Sequence, residues 1–202
     1  MDRATTFVTG LFGGLAAVAG WRYYRSRATE TVDYEVRRLV DGIEIRRYPA
    51  VVVAETVAET VAAARRRLRQ YAAGANRSGT AIPATTPLRT QFGPLGVPTT
   101  TGDTAAAPVR VGSYLPSEYG AAAVPEPTDP AVLLTVEPSR TVAVRPVPLA
   151  RPTDRVDRAR WHLLDAVGRE GLATVGEPFV FSYDNTLLGS LTGRTEVGVG
   201  IA

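Results

Sequence analysis

The chain has 202 residues, 45% of them hydrophobic, a net charge of +3 and a pI near 9.5. That length suits one domain plus an appendage, and the apolar content suffices for a packed core, which excludes disorder throughout. There is no cysteine, and all 23 basic residues are arginine. This excludes disulfides, zinc-thiolate and iron-sulfur sites, thiolate heme ligation, cysteine nucleophiles and lysine Schiff bases.

Residues 4–21 carry no charge, end at Trp21 and are followed by Arg22, Tyr23, Tyr24, Arg25 and Arg27. As a helix this stretch spans about 27 Å, close to a hydrocarbon core, and its aromatic and basic exit suits a membrane interface. The segment reads as an uncleaved anchor, with the arginines holding the following domain on the cytoplasmic side. Cleavage after Ala17-Val18-Ala19, with export, is the rival reading, and a plain apolar tail is a third. The predicted organisation is an anchor segment over 1–28 and a domain over 29–202.

From Thr29 onward the pattern is β, α, β twice over. Val32 to Arg38 and Gly42 to Thr56 alternate in hydrophobicity around an Asp41-Gly42 turn. The period then lengthens: Val57, Val61, Ala64, Leu68 and Tyr71 share one face of a helix expected over 57–73. The basic run Arg65-Arg66-Arg67 with Arg69 lies on that helix without interleaved aromatics, a solvated face rather than a nucleic-acid groove. Strands are predicted near Ala84 to Phe92 and Val109 to Leu115, flanking a Gly, Pro and Thr loop over 93–107 that is expected to be mobile. The second half repeats the order with strands Val132 to Glu137 and Thr141 to Val147, and a helix capped by Thr153 or Asp154 and closed by Gly171. Strands Glu177 to Tyr183 and Glu196 to Ile201 complete it. The predicted fold is α+β: two pseudo-symmetric β-hairpin, helix, strand halves forming a curved antiparallel sheet or distorted β-barrel flanked by two helices.

Tyr71, Gly74, Asn76, Ile82, Thr85 and Pro87 follow a spacing that resembles the signature of the SOUL or heme-binding protein family. Tyr34-Glu35-Val36, Ile43 to Pro49, Leu115-Pro116-Ser117, the Pro-rich run from Pro125 to Val132, Tyr183-Asp184 and Arg194 to Val197 are similar to further elements of that family, in its order. The resemblance covers roughly residues 32–202 and implies the same two-half architecture. It also implies a heme or free porphyrin ligand, bound reversibly without catalysis. Such a ligand needs an apolar wall about as long as a helix and cations for two propionates, a task that suits arginine. Val61, Leu68 and Tyr71 are wall candidates, with Arg65 and Arg69 near the edge, and Arg194 matches a family arginine. The plainer reading of Val61 and Leu68 is an ordinary core beneath the sheet.

The sequence departs from the family at Ala84 and Thr195, where members often carry Met and Asn, and it has no histidine in its N-terminal half. Binding through the tetrapyrrole face and propionates therefore fits better than iron ligation. The single histidine, His162, falls at the border of the second helix's apolar face and is a surface residue or, less simply, an axial ligand. Enzyme readings lack a catalytic group. There is no Gly-x-Ser-x-Gly elbow, no dinucleotide or phosphate-binding loop and no metal-spaced cluster, and Glu35, Glu44, Asp184 and Glu196 read as solubility and hairpin-pairing groups. The alternative function is a membrane-tethered protein-interaction module of the same fold with no tetrapyrrole ligand.

Overall fold

In the computed structural model of the protein, the described residues are 29–91, 108–120, 123–148, 155–183 and 194–202. The anchor candidate 1–28, the loop 93–107, Thr153, Asp154 and Asp184 lie outside them. Among the described residues no helix is long and apolar enough to cross a membrane.

Asp41 and Gly42 both take positive φ, 49° and 72°, the backbone twist that suits a tight hairpin between β2 (Glu35–Val40) and β3 (Ile43–Tyr48). The run expected as one strand to Thr56 is two. Pro49 lacks an N–H for a ladder, and the chain leaves β3 there and starts β4 (Val51–Ala58) beside different partners. β4 in turn takes Val57, so helix α1 begins at Val61 rather than at 57 and runs to Ala72. Thr60 sets that start, its Oγ1 accepting the Ala63 N–H at 3.1 Å. The expected strand from Ala84 to Phe92 is also divided: β5 (Thr85–Thr86) pairs in parallel with β1 (Glu30–Thr31), and after a cis Thr86–Pro87 bond β6 (Leu88–Gln91) joins the main sheet.

The remaining elements are β7 (Val109–Tyr114), β8 (Val132–Glu137), β9 (Arg140–Pro146), α2 (Arg155–Arg169), β10 (Thr174–Ser182) and β11 (Thr195–Ile201). Nine strands form one antiparallel sheet in the order β2-β3-β9-β11-β10-β6-β7-β4-β8. It is open, because the terminal strands β2 and β8 do not pair with each other, and the β-barrel alternative is thereby corrected. The sheet still curls. Arg140 on β9 donates to the Tyr114 hydroxyl on β7 at 3.1 Å although three strands separate them in the order. From β3 to β8 the order reads alike from both ends if β3, β9, β11 and β10 are matched with β8, β4, β7 and β6.

Strand alternation sorts the core into layers. Val52 and Ala54 of β4 pack under α1 with Ala64, Leu68 and Tyr71, while Ile43, Ala143, Val197 and Val199 pack under α2 with Ala159, Leu163 and Val167. The intervening residues Val53, Val142, Val144, Phe179 and Phe181 meet on the other face. Gly198 is a consequence of that crowding: a Cβ there would lie 2.6 Å from the Phe179 ring.

Candidate functional site

α1 supplies one wall of the site, and the Tyr71 to Leu88 segment builds the rest. Gly74 follows the last helical turn with φ 110° and donates its N–H to the Tyr71 carbonyl, so the chain reverses direction. Asn76 is buried and fixes the turn: its amide donates to Thr80 O at 2.7 Å and Tyr71 O at 3.4 Å, and its Oδ1 accepts from Thr80 N at 3.1 Å and the Ser78 hydroxyl at 2.9 Å. The returning chain then closes on the helix, Ile82 N–H donating to Ala72 O at 2.8 Å. Helix and return strand enclose a cavity of about 500 Å³.

Five residues singled out by sequence, Val61, Arg65, Leu68, Arg69 and Tyr71, line this cavity. Leu68 and Tyr71 are also core residues, at 4% and 2% exposure, so both readings of the helix face apply to the same side chains. The Tyr71 hydroxyl donates to Pro125 O at 2.8 Å, and burial, with a smaller contribution from Tyr119, pushes its pKa up to about 12. Tyr71 is a neutral, anchored wall. The opposite wall consists of Ile82, Pro83, Ala84, Thr85 and Leu88, with Leu115 between. Sequence reading recognised this segment as a motif without seeing it as lining, because only the helix offered a periodic face.

The two arginines differ from most of their kind here. Arg67 pairs with Asp129 at 3.1 Å, Arg77 with Glu126 at 3.0 Å and Arg169 with Asp165 at 3.0 Å. Among the described residues neither Arg65 nor Arg69 has a carboxylate partner. Arg65 is half-buried, its Nε is shielded from solvent without an acceptor, and its pKa is lowered by burial and by the neighbouring Arg69 charge. A group in that state gains from any anion placed beside it. The site is an apolar slot with two uncompensated cations at its lip. Among the described residues the lining contains no histidine or methionine, and Tyr71 is already engaged, so these walls suit a tetrapyrrole's face and carboxylates and offer its iron no free imidazole.

Arg194 and His162 lie elsewhere. Arg194 binds Glu196 at 2.6 Å, donates to the Tyr34 hydroxyl at 3.2 Å and stacks over the Tyr183 ring at 4.5 Å. It belongs to a buried network around Arg46, whose two terminal nitrogens donate to Glu196 at 2.7 and 3.0 Å and whose Nε donates to Glu44 at 2.8 Å. Glu196 is thus an interior partner, which corrects its reading as a solubility group. The expectation failed because strand alternation reveals a face and not whether that face meets water. His162 is exposed on α2, its ring 5.0 Å from that of exposed Trp161, and it lines neither this cavity nor a second of about 380 Å³. Among the described residues no group of three or more potential ligands is placed to hold a metal ion.

The model of the SOUL heme-binding protein family matches residues 29–199, nearly the whole described domain. The chain belongs to the SOUL heme-binding family. No curated protein matches it. The fold of this SOUL domain is similar to the crystal structure of the EcmrR C-terminal domain, with a TM-score of 0.51 and 13% identity over 84% of this chain and 98% of that one. It is also similar to the crystal structure of a hydrolase from Listeria innocua, with a TM-score of 0.54 and 9% identity over 82% of this chain and 94% of that one. At such identities the likeness concerns the fold alone.

Proposed function

We propose that the protein binds heme or a metal-free porphyrin reversibly and without catalysis, in the groove between α1 and the 82–88 segment. The observation that carries this reading is the pair of unpaired arginines, Arg65 and Arg69, at the lip of an apolar cavity in a member of a heme-binding family. Apolar contact with Val61, Leu68 and Ile82 supplies most of the affinity. The arginines orient the ligand by its carboxylates, a partly solvated interaction worth about 0.2–1 kcal/mol each. Residues 4–21 tether the domain to the cytoplasmic face of a membrane, and the strand order that reads alike from both ends supports a pseudo-twofold relation between the halves.

The test is titration of the full chain, in detergent, with hemin and with protoporphyrin, followed by absorbance and tryptophan quenching. Comparable affinity for both is expected, weakened in Leu68→Glu and more mildly in Arg65→Ala. A preference for hemin that vanishes in His162→Ala would refute face-and-carboxylate binding. Absence of saturable binding of either ligand would refute the tetrapyrrole reading and favour the interaction module.

A further inference from the structure

We propose that the arginine lip of the α1 groove is the face this protein turns toward an anionic lipid surface, so that the groove opens at the bilayer. The inference rests on the anchor reading of residues 4–21 and adds an orientation to it. β1, the first strand after that segment, pairs Glu30 with Thr85 and Thr31 with Thr86, and Thr85 lines the groove. Adjacent strands lie about 5 Å apart, so the chain enters the domain directly beside the groove's far wall. Between Trp21 and Thr29 there are only the seven residues 22–28. Fully extended they reach about 25 Å, which keeps the end of the apolar segment within that distance of β1 and the groove's far wall.

Charge selects the side that meets the lipid. Along α1 the groove-facing flank carries Arg65 and Arg69, and Arg66 continues it outward at helical spacing, exposed and without an ion-pair partner among the described residues. Arg67, on the opposite flank, is already paired with Asp129. The second cavity, which meets the first at Leu115, is edged instead by Glu30 and Asp33, and repulsion from an anionic surface tilts the domain toward its arginines. Exposed arginines near such a surface each strengthen attachment roughly fivefold, over a range of about 8–10 Å.

The experiment uses the full chain in phosphatidylcholine vesicles with and without phosphatidylglycerol. The absence of cysteine allows a single labelling site at Gln70→Cys on α1 or, as control, at Leu164→Cys on α2. A fluorophore at each is quenched by nitroxide lipid headgroups. Expected is severalfold stronger quenching at position 70 than at 164, present only with phosphatidylglycerol, lowered by salt and abolished by adding Arg66→Glu and Arg69→Glu. Equal quenching at both sites, or quenching at 70 indifferent to lipid charge and salt, overturns the orientation while leaving the anchor intact. Release of the protein from neutral vesicles by a carbonate wash overturns the anchor and this proposal with it. The salt series on the unsubstituted arginines decides the matter without relying on the variants' folding.

Discussion

Glu196→Gln tests the interior of the sheet most directly. The Glu196 side chain is 1% exposed and receives two hydrogen bonds from Arg46, itself 0% exposed, together with hydrogen bonds from Arg194 and, at 2.9 Å, from the Tyr183 hydroxyl. The amide keeps the shape, removes the charge and turns one acceptor into a donor facing arginine. Breaking one partner of a buried pair costs about 3–5 kcal/mol because the remaining ion has no solvent to return to. For a chain of this size that corresponds to a melting temperature lower by roughly 6–20 °C. The cost must also depend on pH. Burial acts to raise the Glu196 pKa, but the hydrogen bonds and charges of Arg46 and Arg194 outweigh it and leave it depressed. A carboxylate with a depressed folded pKa contributes its full stability above the unfolded value of about 4.3, and loses it as pH falls through the lower folded value. Urea midpoints of parent and variant, measured in parallel from pH 7 down to pH 3, are expected to differ widely at pH 7 and to converge toward the acid end. Equal midpoints at pH 7, or a gap that stays constant through the acid range, would refute the assignment of a charge-dependent buried pair.

Other expectations follow from the same packing. Leu68→Ala removes a core side chain at 4% exposure and should cost about 2–5 kcal/mol by urea unfolding, while enlarging the groove for ligand. Asn76→Ala removes a buried amide that holds the turn through Thr80, Ser78 and the Tyr71 carbonyl and should cost about 1–3 kcal/mol, with hydrogen exchange accelerated first at Thr80 and Ile82. Gly198→Ala drives a methyl into the Phe179 ring and should destabilise by about 1–3 kcal/mol, a loss that Phe179→Leu partly restores in the double variant. Burial pushes both Tyr71 and Tyr114 up to about 12, so phenolate absorbance near pH 12 should lose part of its amplitude, not all of it, in Tyr71→Phe; the stability tied to the buried Tyr71 phenol is complete below its unfolded pKa of about 10 and lost above the folded one.

Local chemistry wrote much of this protein into its sequence. The helix face of Ala64, Leu68 and Tyr71, the Asp41-Gly42 turn and the cap glycines depend on neighbours within a few residues, so periodicity and φ preferences reveal them. For the same reason the groove's helical wall, with Arg65 and Arg69, was legible before any coordinates. Ends of elements were less so: Val57 belongs to β4 because β7 pairs with that strand through Ala58, a competition that no window of sequence contains. The tertiary structure alone decided which charges are interior. Glu44 and Glu196 look alike in alternating strands, but β3 and β11 both flank β9, and the curl of the sheet places Arg46 beside Glu196, 150 residues away in the chain. It alone also decided that Arg194 is neutralised there while Arg65 is not, since a cation's availability depends on which carboxylates the fold brings within reach, and that is a long-range property.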